Sequence, residues 1–196
     1  MSNIAGQLDD LRKEFSRLQT AFGSADLRFG VVRQLFAILN STFDEEEILA
    51  KALAIIEKAI GVEAGSMLLF DPADGKLYFA AATGPKAEEV KEFRIDPGLG
   101  VSGWCFRQNQ PVAVSDVASD PRFYRQISKS LGFETRCLLC APIRVAGEAV
   151  GVLELVNKQD GDEFHTDDTE LVSTVGILVG QLIDNARRLN ASAATK

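Results

Sequence analysis

Two stretches of the chain each predict a β-hairpin, and together they constrain the fold more than any other feature. In GSMLLFDPADGKLYFAAATG, Asp74 and Gly75 stand between two apolar runs, the usual signal of a tight turn between paired strands. In TRCLLCAPIRVAGEAVGVLELVN, a second turn falls at Ala146 and Gly147. Since hairpins join antiparallel neighbours, the sequence predicts an antiparallel β-sheet, with helices from both ends of the chain covering one face.

Apolar residues near both ends of the chain alternate spacings of three and four, the a/d pattern of a coiled coil. The N-terminal stripe consists of Ile4, Leu8, Leu11, Phe15, Leu18 and Phe22, and the C-terminal stripe of Leu171, Val175, Leu178, Leu182 and Leu189, with Asn185 as a polar member. We expect both helices to pair with a second copy of the chain in a homodimer. The alternative for the N-terminal helix is packing on its own domain.

Composition excludes several classes of function. With 28 acidic and 21 basic residues the net charge is −7, which argues against binding to nucleic acid or to an anionic membrane surface. No apolar stretch approaches the roughly 20 residues of a membrane span, and the N-terminus is charged where a signal peptide would be apolar. We therefore expect a cytoplasmic protein whose apolar fraction of 46% builds one sizeable core.

The three cysteines, Cys105, Cys137 and Cys140, predict neither a disulfide framework nor a metal site. An odd number of cysteines in a chain of this size indicates a reducing compartment. Cys137 and Cys140 have the spacing of a CxxC motif, but they lie in an apolar strand, where residues three apart point to opposite faces. We interpret all three as small buried hydrophobic residues, with a redox role as the alternative.

Four stretches together resemble the GAF domain, a small-molecule-sensing module of phosphodiesterases, cyclases and signalling kinases. They are GLGVSGWCFRQNQPVAVSDVASDPRFY, GFETRCLLCAPI, EAVGVLELVNK and FHTDDTEL. The resemblance spans about residues 26–190 and implies an α+β fold. A central antiparallel β-sheet of about six strands would carry the N- and C-terminal helices on one face, and a lid of loops and short helices on the other, as in GAF and PAS domains. Residues 1–25 would form a separate coiled-coil helix and residues 191–196 a tail.

Within this family, the cyclic-nucleotide-binding GAF domains are the most similar in pattern. Their signature of Asn-Lys, a spacer, Phe, three residues and Asp-Glu is matched by Asn157, Lys158, Phe164 and Asp168, with Thr169 in place of the final glutamate. The resemblance implies that Lys158 and Asp168 form an ion pair, a structural latch that braces the pocket without touching the ligand. The alternative is ordinary helix-start chemistry, in which Phe164 staples the helix and Asp168 lies in its acidic first turn.

The resemblance also implies a set of ligand-contacting positions. These would supply a hydroxyl to the base, side chains on the lid side, a carboxylate on the last strand and a glycine-rich turn whose backbone N–H groups favour a phosphate. In chain order they are Ser66 for the base, Val101 and Ser102 in the turn, Tyr124 and Thr135 toward the lid, and Glu154 on the last strand.

Two departures from the family pattern leave the ligand open. The aromatic residue that stacks on the purine should fall in YFAAATG, where the aligned segment offers small residues, and Leu131 replaces a threonine near the lid. Phe79 lies at a neighbouring position and is expected to face the wrong side of the sheet. The sequence specifies no cofactor, and the candidate ligands are cyclic AMP, cyclic GMP or another small molecule.

The sequence gives little support to catalysis. His165, the only histidine, has no nucleophile near it in sequence and is expected to be solvated. The favoured hypothesis is a non-enzymatic sensor that acts through its terminal helices on a separate partner, which the sequence does not identify. Two alternatives stay open: a ligand-free GAF dimerisation module, and a cysteine-dependent methionine sulfoxide reductase that would use Cys105.

Overall fold

The computed structural model describes residues 23, 26–38, 44–159, 161 and 163–194. In chain order the elements are helix α1 (26–38), α2 (Glu45–Ile60), strands β1 (Val62–Asp71) and β2 (Lys76–Ala82), α3 (Ala87–Val90), β3 (Arg94–Ile95), α4 (Gly100–Gln108), β4 (Val112–Val114), α5 (Arg125–Leu131), β5 (Leu138–Val145), β6 (Glu148–Lys158) and α6 (Thr166–Ala194). The N-terminal stripe from Ile4 to Phe22 lies outside the described residues.

The six strands form one antiparallel sheet in the order β3-β2-β1-β6-β5-β4, which confirms the α+β class. Both predicted hairpins are present, as β1–β2 and β5–β6. Because β1 also pairs with β6, the two hairpins lie side by side at the centre of the sheet. This register places Ser66 opposite Glu154, and Glu154 opposite Cys140, in one row across three strands.

One face of the sheet carries α1, α2 and α6 over a continuous apolar core. Helix α2 is capped at its start by Asp44, whose carboxylate accepts the backbone N–H of Glu47. It is capped at its end by Gly61, in the left-handed conformation that glycine adopts freely. Three members of the C-terminal stripe, Leu171, Val175 and Leu182, are buried in this same core, whereas Leu189 is 49% exposed. The four-three spacing of α6 therefore reflects, over most of its length, packing on its own sheet.

Two glycines let α6 lie unusually close to strand β5. A Cβ atom at Gly176 would lie 2.4 Å from the carbonyl oxygen of Pro142, and one at Gly180 would lie 1.9 Å from that of Arg144. Both distances are well inside van der Waals contact, so any side chain at either position would push the helix off the sheet. The backbones of α6 and β5 are thus in contact at two points, one helical turn apart along α6.

The opposite face carries α4, α5 and a second apolar cluster. Cys140 belongs to this cluster and Cys137 to the core under the terminal helices, so the two cysteines point to opposite faces as predicted. All three thiols are free and buried. In the described part of the chain, no helix combines the length and the apolar character that a membrane crossing requires.

Candidate functional site

The face opposite the terminal helices contains a cavity of about 120 Å³, several times the roughly 10–15 Å³ that one water molecule needs by the same measure. Its floor is the centre of the sheet, its far wall is the start of α4, and its cover is the segment 119–133, which we call the lid. The structure brings all six predicted ligand-contacting residues to this one cavity: Ser66, Val101, Ser102, Tyr124, Thr135 and Glu154.

Glu154 lies on the floor of the cavity with one carboxyl oxygen held by two donors. The Ser102 hydroxyl of α4 donates to its Oε2 atom, and the Cys140 thiol of the neighbouring strand donates to the same atom over 3.6 Å. Burial raises the pKa of Glu154, and these two hydrogen bonds lower it again only in part. The carboxyl group therefore keeps its proton to a higher pH than an exposed glutamate does.

Two polar atoms on the cavity floor have no hydrogen-bond partner among the described residues. They are the hydroxyl of Ser66, a side chain only 5% exposed, and the Oε1 atom of Glu154. In the described part of the chain, every side-chain nitrogen or oxygen that is closed off from solvent has a partner, so these two atoms must open into the cavity. Adjacent strands place them side by side.

The lid is anchored to α4 at its beginning. The Arg122 guanidinium lies over the Trp104 ring, 4.8 Å from its centroid, and donates to the Asp120 carboxylate. Beyond this anchor, the lid contributes apolar side chains to the cavity: Phe123, Ile127, Leu131 and Phe133. The lid therefore has a fixed base and an apolar inner surface.

Phe79 lines the cavity, so the prediction that it faces the other side of the sheet is wrong. A β-bulge explains the difference: between the consecutive β1 residues Met67 and Leu68, the partner on β2 moves back by two, which leaves Ala80 as an extra residue. The bulge resets the alternation of faces along β2. An aromatic ring therefore does face the cavity, although it comes from the position next to the one that the family pattern uses.

The structure joins two residues of the predicted latch, Lys158 and Asp168, in an ion pair. The Lys158 ammonium lies 2.5 Å from Asp168 Oδ2, and both side chains are 14% exposed. The same oxygen of Asp168 accepts the backbone N–H of His165 at the start of α6, and Phe164 is buried in the core below. Asp168 thus takes part in the ion pair and in the helix start at once, and none of the four residues lines the cavity.

Asn157 connects the end of β6 to two other segments. It is fully buried, in the left-handed conformation (φ 57°) that asparagine tolerates better than most residues. Its side-chain oxygen accepts the backbone N–H of Arg136, and its amide donates to Glu63 Oε2 and to the carbonyl of Glu134, each over 2.8 Å. These bonds fix the chain that leads from the lid into β5.

Sequence reasoning missed a polar link between the cavity and α2. Thr83 lines the cavity, accepts the backbone N–H of Gly65 over 3.0 Å and donates to the carboxylate of Glu57 on α2. A Cβ atom at residue 65 would lie 2.6 Å from that carboxylate, so a side chain there would displace Glu57. Neither Thr83 nor Glu57 belongs to a local motif, and they meet because α2 packs against the β1–β2 hairpin.

The cysteines and the histidine show no sign of an activated site. Burial raises the pKa of the Cys105 thiol to about 12 and that of Cys140 well above its usual value, with the nearby Glu154 carboxyl adding to both shifts. His165 is exposed, as expected. Across the described ranges, no group of three histidine, cysteine or acidic side chains is placed to hold a metal ion.

Comparison with known proteins finds one family and several relatives. The family model described as GAF domain matches residues 44–183. The chain is 24% identical over 160 residues to the probable 3',5'-cyclic phosphodiesterase pde-5 of Caenorhabditis elegans. The matched region covers 77% of this chain and 22% of the relative. It is 34% identical over 103 residues to the dual 3',5'-cyclic-AMP and -GMP phosphodiesterase 11A of Takifugu rubripes, covering 52% of this chain and 11% of the relative. The chain thus spans about a fifth or less of the length of these relatives.

Solved structures share the fold at low sequence identity. The GAF domain of a phosphoenolpyruvate-protein phosphotransferase from Coxiella burnetii superposes with a TM-score of 0.75 at 23% identity, over 85% of this chain and 98% of that one. The free methionine-R-sulfoxide reductase of Neisseria meningitidis, solved with its substrate, gives a TM-score of 0.70 at 23% identity, over 84% and 93% of the two chains. At such identities the likeness establishes the fold alone.

Proposed function

The chain belongs to the GAF domain family, and we propose that it is a sensing module whose small-molecule ligand binds in the cavity between the sheet and the lid. The observation that carries this proposal is the cavity floor, where Ser66 and Glu154 each direct an unpaired polar atom into an otherwise apolar space. A few polar groups in an apolar cavity are the usual composition of a ligand site. A purely structural module would be more stable with the cavity filled.

We propose cyclic AMP and cyclic GMP as the first candidate ligands. The six predicted residues Ser66, Val101, Ser102, Tyr124, Thr135 and Glu154 surround one cavity, and Phe79 supplies an aromatic surface on which a purine could stack. The relatives named above are phosphodiesterases of cyclic nucleotides. The start of α4 borders the cavity, where its free N–H groups would favour a phosphate.

The proposed mechanism is a shift in population between an open and a closed lid. Ligand can reposition the terminal helices only by as much free energy as its affinity differs between the two states. We propose that these helices, together with residues 1–25, form a homodimer in the cytoplasm, and that Lys158 and Asp168 brace the last strand against α6. Support for the dimer comes from exposed apolar side chains on α1 and α6: Leu27, Phe29, Phe36, Ile177 and Leu189.

We propose that the module is not an enzyme. The cysteine-dependent alternative needs a thiolate, because the thiol form is a poor nucleophile. Cys105 and Cys140 are buried with raised pKa values, which favours the thiol form of both.

Isothermal titration with cyclic AMP and cyclic GMP tests this function, on protein unfolded and refolded to remove any ligand carried from expression. We expect binding of at least one nucleotide, and we expect Ser66→Ala to weaken it by about three- to tenfold, the usual effect of losing one hydrogen bond. Ser192→Ala, at an exposed serine of α6, is the matched control. A folded protein that gives no heat with either nucleotide would exclude them and favour another ligand or a ligand-free dimerisation module.

A further inference from the structure

The two oxygens of the Glu154 carboxyl group have different surroundings. Oε2 accepts hydrogen bonds from Ser102 and Cys140, and its lone pairs are thereby occupied. Oε1 has no partner among the described residues and opens into the cavity. A proton on this carboxyl group therefore belongs on Oε1, where it points toward a bound ligand.

No cation within the described residues forms an ion pair with Glu154. The groups that face it are the Cys140 thiol from β5, the Ser102 hydroxyl and Cys105 thiol from α4, and the Ser66 hydroxyl from β1. Three basic side chains lie near this region, and each has another polar partner: Lys86 is paired with Glu89, Arg122 with Asp120 and Arg144 with Asn109. A partly buried carboxylate in a mostly apolar cavity, without a counter-charge, is costly, which favours the neutral acid.

We propose that Glu154 offers the ligand a carboxylic O–H group, so that the cavity selects a ligand that presents an uncharged hydrogen-bond acceptor at this point. This proposal rests on the sensing function proposed above and specifies the chemistry of its ligand. Cross-strand neighbours have Cβ atoms roughly 4.5–5.5 Å apart, so the Ser66 hydroxyl can reach a neighbouring atom of the same ligand group. A carbonyl oxygen or a ring nitrogen fits this pair, whereas an ammonium or amidinium group, which can only donate, does not.

Infrared spectroscopy of the ligand-free protein at neutral pH tests the protonation directly. We expect a carboxylic C=O band in the wild type that Glu154→Gln removes. Glu57→Gln is the matched control, because burial also raises the pKa of Glu57, on the other side of the sheet. A wild-type spectrum without such a band, or a band of equal intensity in wild type and Glu154→Gln, would overturn the proposal.

Two probes of one shape, benzamide and benzamidine, test the ligand class without assuming a nucleotide. Benzamide is neutral and carries an acceptor, whereas benzamidine is a cation that only donates. By NMR titration, we expect benzamide to perturb the resonances of residues around Glu154, and Glu154→Gln to retain this binding, because its amide N–H replaces the acid O–H. Binding of benzamidine in its place, or of neither probe at millimolar concentration, would overturn the ligand class.

Cyclic nucleotide titrations separate the failure of this inference from the failure of the proposed function. If a nucleotide binds, we expect Glu154→Gln to stay within about threefold of the wild type, and Glu154→Ala to lose about tenfold or more, because it leaves the ligand acceptor unpaired. Equal losses in both variants would mean that the ligand uses the carboxylate, contrary to the proposal. Benzamide binding with no nucleotide binding would retain the inference and reject the nucleotides.

Discussion

The two faces of the sheet are built in opposite ways. On the helix face, α6 lies so close to the sheet that two of its glycines touch the backbone of β5, above a continuous apolar core. Under the lid, the same sheet borders a cavity, and two polar atoms remain unpaired. A close-packed face resists change, whereas an incompletely filled face can be completed by a ligand. We infer that the helix face maintains the fold while the lid face carries the binding site.

Neighbouring leucines on β5 give the largest expected contrast between the faces. Leu139 is fully buried in the core under the helices, and Leu138, the preceding residue, lines the cavity. We expect Leu139→Ala to lower the free energy of unfolding by about 3–4 kcal/mol, and Leu138→Ala by about 1–2 kcal/mol, since a side chain beside an existing cavity has fewer contacts to lose. Urea unfolding of both variants measures this. Equal losses would show that the two faces are packed alike.

The closest approach of α6 to the sheet gives the second contrast. Gly180→Ala places a methyl group against the carbonyl oxygen of Arg144, and we expect it to cost about 2–3 kcal/mol. Gly30→Ala in α1 is the control, because no atom lies within 4 Å of the added group and alanine is the better helix former by roughly 1 kcal/mol. The free energy of unfolding, measured with urea, should thus fall for Gly180→Ala and rise for Gly30→Ala. A neutral Gly180→Ala would mean that the helix shifts without loss.

The sequence predicted what local patterns determine. Both hairpins follow from turn residues between apolar runs, and the six cavity residues follow from a family resemblance that aligns them one by one. The C-terminal stripe was harder to interpret, because an apolar spacing of three and four suits a sheet as well as a second helix. Leu171 and Leu182 therefore look the same in sequence whether they meet β5 or another chain.

The parts that the sequence did not predict depend on contacts between distant segments. The bulge that turns Phe79 toward the cavity exists only because β1 and β2 pair out of step, and nothing in YFAAATG marks Ala80 as the extra residue. The bond between Thr83 and Glu57, and the three segments joined at Asn157, likewise arise from the tertiary fold. Local composition does not encode such contacts.

The latch gives a smaller expected effect, at the border between the two faces. Lys158→Ala removes the ion pair but leaves the bond from His165 to Asp168, so it separates the latch from the helix start. We expect a loss of about 1–2 kcal/mol, less than for a fully buried pair because the remaining carboxylate can reach water. Lys58→Ala, at an exposed lysine of α2, is the control. Equal thermal stability of Lys158→Ala and wild type would contradict the latch.

The smallest expected effect is a pH dependence that distinguishes a cavity-facing acid from a surface acid. The raised pKa of Glu154 contributes stability at pH values below the ordinary carboxyl range, and this is lost as the pH rises through the folded-state pKa. Glutamine does not ionise, so the melting temperature of Glu154→Gln relative to wild type should rise from pH 5 to pH 8. Glu63 should behave oppositely, because hydrogen bonds from Arg136 and Asn157 lower its pKa, and Glu63→Gln should lose stability relative to wild type as the pH rises from acid to neutral. Parallel curves for the two variants would mean that Glu154 is as well solvated as a surface carboxylate. That result would contradict the contrast between the cavity and the protein surface.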